Sequence, residues 1–318
     1  MDQLKNINID YFESKQSGFT LVEILIAILA AAVFSIALYG TYKSQLTSYA
    51  QQNRVVEMQQ NARGAMDIMV KEIRMAGYDP MGIGGLGITN VQPRDPNNTA
   101  TIDITFNGTA FLQRAADDGA GANTDSGILE VGETISYSIY DYPVLTPNGI
   151  PDLARNNGGG RQLVAESIEV VGFSYAFDAN GDDLLDMYLD AGANPVVIWA
   201  VDSNGDNLLD INLDTNNDGI INASDGPGAG NNGLIGGQAM IDSLTGAVIP
   251  PVAPANIRAV RISILARTTI EDSAFFDTRT YVAGNKVIAP IAANASDHYK
   301  RRLLTTIVEC RNTFANNR

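Results

Sequence analysis

Apolar residues fill the chain from Phe19 to Tyr42 almost without a break: 24 residues hold a single charge, Glu23. At a rise of about 1.5 Å per residue, a helix of that length spans roughly 36 Å, enough to cross the hydrocarbon core of a bilayer. Beyond this run the composition changes but the period does not. Tyr42, Leu46, Tyr49, Val56, Met66, Met69 and Ile73 keep to three- and four-residue steps, with gaps at Asn53 and Gln60, and polar residues crowd the other positions. That spacing is the stripe of an amphipathic helix. The pattern predicts one continuous helix that ends near Gly77, ahead of Pro80. Its first part (19–44) belongs in a membrane or an apolar assembly, and its second part (45–77) lies on a globular head.

Further on the period drops towards two. Strands are expected at Thr101–Phe106, Glu133–Tyr140, Gln162–Phe177, Pro195–Val201, Ile257–Arg267 and Arg302–Glu309. In the fifth of these, Val260, Ile262, Ile264 and Ala266 share one face, while Arg261, Ser263 and Arg267 share the other. Loops separate the strands at Met81–Asn98, Asn156–Gly160 and Gly226–Gly237. The first loop carries Gly82, Gly84 and Gly87 in dinucleotide-binding spacing. That motif needs a strand before it and a helix after it, and here Pro80 precedes while Pro93 and Pro96 follow. One long helix followed by loop-joined strands predicts an α+β fold: a helix packed on an antiparallel sheet.

Charge and composition narrow the function. The formal net charge is −15, which argues against nucleic acid as a partner. A single cysteine, Cys310, excludes an intrachain disulfide, and with one histidine, His298, no Cys- or His-rich metal site can form. Cys310 alternates with Val308 at the end of the last strand and reads as a buried structural thiol. No catalytic constellation is visible, so the chain is not expected to be an enzyme.

The charge is also concentrated. Between Arg161 and Arg258 there is no lysine or arginine, yet the segment holds Glu166, Glu169, Asp242 and eleven aspartates from Asp178 to Asp225. Two stretches repeat: Phe177–Asp190 and Val201–Asp214 match at 9 of 14 positions, and each reads D-x-N-G-D-x-L-L-D. A third, Asp214–Asp225, reads D-x-N-x-D-G-x-I-x-x-x-D and resembles an EF-hand or dockerin calcium loop. The resemblance implies ligands at Asp214, Asn216, Asp218, the Ile220 carbonyl, Asn222 and the closing Asp225, with Gly219 at the sharp turn. The earlier two would use Asp178, Asn180, Asp182 and Asp186, and Asp202, Asn204, Asp206 and Asp210. They depart from the pattern, because Gly181 and Gly205 fall at position 4 and the twelfth position is Leu189 or Leu213. Turn formation alone explains isolated Asp-Gly pairs. It does not explain eleven carboxylates with no cation near them in sequence, and calcium is the expected cofactor of this 177–226 insert.

The N-terminus carries the most specific pattern. The first 18 residues hold Lys5 and Lys15 against Asp2, Asp10 and Glu13, and small Gly18 stands before the apolar run. A cleaved signal peptide has the reverse order. Gly18-Phe19-Thr20-Leu21-Val22-Glu23 followed by an apolar helix resembles the type IV pilins and type II secretion pseudopilins. The resemblance implies that 1–18 is a leader, that prepilin peptidase cuts between Gly18 and Phe19, and that the new amine is then methylated. It also implies that Glu23 pairs with the Phe19 amine of its own or a neighbouring subunit during assembly. Ile73–Pro80, Asn256–Thr268 and Tyr299–Asn312 resemble the PilW-like minor pilins, with pseudopilin J of type II secretion as the nearest rival. Implied partners are other minor and major pilins, the inner-membrane assembly platform and a large tip adhesin. The precursor would sit in the inner membrane as a single-pass protein with a periplasmic head (45–318), later extracellular at the filament tip.

Overall fold

The structure, a computed structural model, describes residues 18–77, 87–91, 111–113, 134–141, 149–156, 160–226, 233–243, 245–289 and 298–310. The chain divides into two compact units, Met1–Gln52 and Asn53–Arg318. Helix α1 (Leu21–Met75) contributes to both, and its end two residues before Gly77 matches the expectation from Pro80. In the first unit every described side chain up to Ala50 is exposed, and the most apolar 18-residue window has a mean hydropathy of 2.7. A helix that is apolar all round has no face of its own to give to water.

In the second unit α1 buries Met58, Ala62, Ala65, Met66, Met69 and Ile73. Met66, Met69 and Ile73 are on the expected stripe, whereas Val56 is 50% exposed. The seam shifts because Ala62 and Ala65, too small to register as an apolar stripe, let the helix approach closely. Each fully buried Met or Ile on this face contributes on the order of 1.5–3 kcal/mol.

Two five-stranded antiparallel sheets make the head. The first runs in chain order: β1 (Ile88–Asn90), β2 (Phe111–Gln113), β3 (Thr134–Asp141), β4 (Pro151–Asn156) and β5 (Arg161–Ala165). It is tied to α1 by Glu72, which takes the Arg155 guanidinium at 2.7 Å and the Tyr137 hydroxyl. The second sheet uses β6 (Ile168–Phe177) together with four strands that follow β7 (Met187–Leu189) and β8 (Pro195–Val197). These are β9 (Ala200–Val201), β10 (Ile211–Asn212), β11 (Ile257–Arg267) and, after the hairpin β12 (Tyr281–Ala283) and β13 (Lys286–Ile288), β14 (Arg301–Glu309). The strand order is β10-β9-β6-β11-β14, and β7 and β8 pair with each other.

Several expected strands change on folding. Gln162–Phe177 is two strands in different sheets, because the chain turns a corner at Ser167, whose φ is 63°. The buried Asp152 carboxylate accepts the Ser167 N–H at 3.0 Å and holds that corner. Pro195–Val201 likewise splits into β8 and β9, and the segment expected as a loop at Met81–Asn98 contains β1. Thr101–Phe106, and Gly82 and Gly84 of the glycine pattern, lie outside the described residues.

The central pair β6–β11 is buried on both faces. Val171, Phe173, Tyr175 and Phe177 of β6 and Val260, Ile262, Ile264 and Ala266 of β11 share one core with α1. The opposite face, which the alternation made look polar, is also covered: Val170 and Leu265 pack with Tyr281 and Ala283 of the β12–β13 hairpin. Gly172 is needed there, since a Cβ would stand 2.1 Å from the Ala283 carbonyl carbon. Three groups hold β14 to this layer. Arg301 forks onto Glu169 at 2.6 and 3.1 Å and reaches Asp277 at 3.5 Å, and the Tyr281 hydroxyl donates to Asp277 at 3.0 Å.

Ile257 pairs with Phe177, and the Asp178 N–H donates to the Asn256 carbonyl at 3.0 Å. The excursion between β6 and β11 is therefore residues 178–256, of which the acidic loops are the first part. Val201, Leu213, Ile221 and Ile235 of this excursion form a small core with Val282 of β12, and Trp199 lies against it.

Candidate functional site

Two regions carry the residues singled out by sequence. At the N-terminal end, Gly18 and Phe19 precede the helix and both are exposed. Glu23 folds back on Thr20: its Oε2 accepts the Thr20 N–H at 2.9 Å and the Thr20 hydroxyl at 3.0 Å, and the Glu23 N–H donates to Thr20 Oγ1 at 3.3 Å. This is a capping box, Thr20 as N-cap and Glu23 at the third helical position, satisfying N–H groups that the first turn leaves without partners. Thr-x-x-Glu before an apolar run is the signal for it, and sequence reasoning passed over it. Both residues lie after Gly18, so cleavage there would leave the box intact.

The three acidic loops have one geometry. In each, the first aspartate is buried and its carboxylate takes backbone amides: Asp178 from Gly181 at 2.6 Å and Asp183 at 3.1 Å, Asp202 from Gly205 at 2.6 Å and Asn207 at 2.8 Å, Asp214 from Gly219 at 2.6 Å. The third residue caps the fifth. Asn180, Asn204 and Asn216 accept from the N–H of Asp182, Asp206 and Asp218 at 2.9, 2.9 and 3.0 Å. The fifth then accepts from the seventh, at Leu184, Leu208 and Ile220.

Two apparent departures of the earlier loops disappear in three dimensions. Positions 4 and 6 both adopt positive φ in every loop: Gly181 and Asp183, Gly205 and Asn207, Asn217 and Gly219. Each loop spends its glycine on one of those positions and an Asn or Asp on the other, the non-glycine residues that tolerate this region best. The closing carboxylates are also equivalent. Asp186 and Asp210, at position 9, and Asp225, at position 12, each accept the N–H of the second residue: Ala179 at 2.6 Å, Ser203 at 2.8 Å and Thr215 at 2.8 Å. Asn222 caps the short turn that brings Asp225 round and accepts from Ser224 at 2.7 Å.

Burial holds the Asp186 and Asp202 carboxyls above the usual carboxylate range, and the amides they accept from pull only partly against it. Cations reach the insert from beneath, outside the segment in sequence. Arg258 of β11 stands 3.8 Å from Asp178, and Arg261 donates to the Ile221 carbonyl at 3.2 Å. Among the described residues no three Asp, Glu, His or Cys side chains gather as a ready metal group. The donor set has the right chemistry for a hard cation, carboxylates with amide oxygens and a carbonyl, but here these oxygens are turned onto backbone N–H groups. Loop 2 is fastened to the first sheet by Asn207, which accepts from Val91 N at 2.9 Å and donates to the Thr89 carbonyl at 3.1 Å. Tyr188 donates its hydroxyl to Asp214 in loop 3.

The remaining candidates are structural. Cys310 is fully buried just past β14, its N–H donates to the Arg258 carbonyl at 2.8 Å, and burial pushes its thiol up to about 12. His298 Nδ1 meets the Phe275 carbonyl at 2.6 Å, and its ring lies 4.6 Å from Phe276.

Residues 14–39 match the family model of the prokaryotic N-terminal methylation motif. No curated protein matches the chain. Among solved structures it is similar to a type IV-like pilin from Thermus thermophilus, with a TM-score of 0.34 and 12% identity, over 80% of this chain and 97% of that one.

Proposed function

We propose that the chain is a type IV pilin-type protein that enters a filament by its N-terminal helix. The observation that carries this is the methylation-motif match over residues 14–39, which contains Gly18, Phe19 and Glu23 and opens a helix whose apolar surface is exposed all round. The precursor is anchored by that helix, prepilin peptidase removes 1–18 and the Phe19 amine is methylated. In finer detail the chain is a PilW-like minor pilin that helps to start or cap assembly with other pilins, the inner-membrane platform and a tip adhesin. Mass spectrometry of the N-terminus from sheared filaments tests this: it should begin at methylated Phe19. A chain found only in membranes with its leader intact rejects the reading, and loss of protein secretion with filaments intact, on gene deletion, assigns it to the type II pseudopilins.

A second reading concerns the head. The shared geometry of the three loops supports calcium as a stabilising ion, held by Asp178, Asn180, Asp182 and Asp186, by Asp202, Asn204, Asp206 and Asp210, and by Asp214, Asn216, Asp218, the Ile220 carbonyl, Asn222 and Asp225. Calcium at these positions would supply the positive charge that Arg258 and Arg261 give only to loops 1 and 3. Calcium at about one hundred times its Kd stabilises a folded state by about 2.7 kcal/mol, so the Tm of the purified chain should rise by roughly 5–10 °C and fall again with chelator. A Tm that moves with neither rejects calcium.

A further inference from the structure

We propose that the cleft beside loop 3 binds a neutral sugar ring. The cleft holds about 240 Å³, below the roughly 300–1,000 Å³ of sites that enclose drug-sized ligands, so it suits one ring rather than a peptide. Its floor is made by the bridge between Asn212 and Gln238, whose backbones exchange hydrogen bonds at 2.8 Å in both directions.

That bridge aims unused polar groups at the space. Asn212 is 2% exposed, and its side-chain oxygen accepts from Asp214 N at 3.3 Å. Its NH₂ group donates to nothing among the described residues and lines the cleft. A donor that opens onto the cleft is available to an acceptor on a bound molecule. Asn217 spends its oxygen on the Gln238 NH₂ at 2.7 Å, and Gln238 also donates to the Asp214 carbonyl. That leaves the Asn217 NH₂ as a second donor and the Gln238 oxygen as an acceptor, with the Ser243 hydroxyl beside them able to play either part.

Donors and acceptors in alternation are what vicinal hydroxyls require. Leu189 and Ile241, exposed apolar residues that also line the cleft, offer a wall for the C–H face of a ring. Anions are disfavoured, because Asp242 lines the cleft and, among the described residues, no lysine or arginine does. The inference is independent of filament assembly and of calcium.

Saturation-transfer NMR on the full chain in detergent micelles tests it, with glucose, galactose, mannose and N-acetylglucosamine as probes and glucosamine and glucuronate as charged controls. Ala239, exposed at the cleft, allows Ala239→Trp to fill the space without cutting into the core. At least one neutral sugar should receive transfer, and its Kd should rise about tenfold or more, a change of about 1.4 kcal/mol, in Ala239→Trp with an unchanged near-ultraviolet dichroism spectrum. Ser243→Ala should weaken binding in the same direction. No transfer to any neutral sugar, equal transfer in Ala239→Trp, or transfer to glucosamine alone would overturn the proposal.

Discussion

Glu23→Gln should leave cleavage after Gly18 intact and remove the chain from sheared filaments. The carboxylate has two separable tasks. Within its own helix it closes the capping box with Thr20, and loss of such a cap costs about 1 kcal/mol. Inside an apolar assembly, where an acidic side chain costs roughly 2.5–3.5 kcal/mol at a helix centre, only a cation offsets its charge, and the proposed cation is the Phe19 amine freed by the peptidase. Thr20→Ala and Glu23→Gln separate the tasks. Thr20→Ala breaks the box and keeps the charge; Glu23→Gln keeps an oxygen that can accept from Thr20 and loses the charge. If charge pairing drives docking, Glu23→Gln depletes filaments as severely as Glu23→Ala, and Thr20→Ala is mild. The reverse order, read by immunoblot of filament and membrane fractions with N-terminal mass spectrometry, would make Glu23 a helix cap and nothing more.

The second large effect is expected at Arg301. Its side chain is 2% exposed, and its guanidinium is the shared partner of Glu169 and Asp277. Asp277 has the Tyr281 hydroxyl and, at 3.7 Å, the exposed Arg279 as further company, whereas the two oxygens of Glu169 face the Arg301 fork. Arg301→Met should therefore cost about 3–5 kcal/mol, the loss seen when one member of a buried pair is removed and the other keeps its charge. For a head of this size that lowers Tm by on the order of 10 °C. Glu169→Leu in the same chain should restore much of the loss, since no carboxylate then remains opposite the methionine. Arg301→Lys should recover only part, because an ammonium cannot make the two parallel bonds. A Tm in Arg301→Met within a degree or two of the parent, by calorimetry on the solubilised chain, would show that the fork is incidental.

Much of this architecture was legible because it rests on period and punctuation. Pro80 and Gly77 marked the end of α1, and the alternation in Ile257–Arg267 marked the central strand. What could not be read was whatever depends on a partner distant in sequence. Ser167 looks like the middle of a strand until Asp152 is seen to hold its N–H. Arg261 and Ser263 look like a solvent face until Leu265 of that face is seen beneath the β12–β13 hairpin and Arg261 against the Ile221 carbonyl. The acidic segment lacks a cation in sequence, yet Arg258 and Arg261 come up from β11 to meet it. At the site the difficulty was different. Counted from the first aspartate, glycine at position 4 and leucine at position 12 look like defects. Folding makes positions 4 and 6 alike in backbone and brings Asp186, Asp210 and Asp225 to the same N–H, which counting along the chain does not reveal.

The junction at Phe177 and Ile257 has a consequence for how such a head can diversify. Residues 178–256 run from β6 back to its direct partner β11 and add β9 and β10 to the same sheet on the way, so what is left to vary is the loops between those strands. Changes of length inside those loops cost only a slowly growing loop-closure entropy. They leave the β6–β11 register, and with it the helix beneath, where they were. The sheet thus carries exchangeable loops on a fixed ladder, and selection can rewrite those loops without disturbing the central pair of strands.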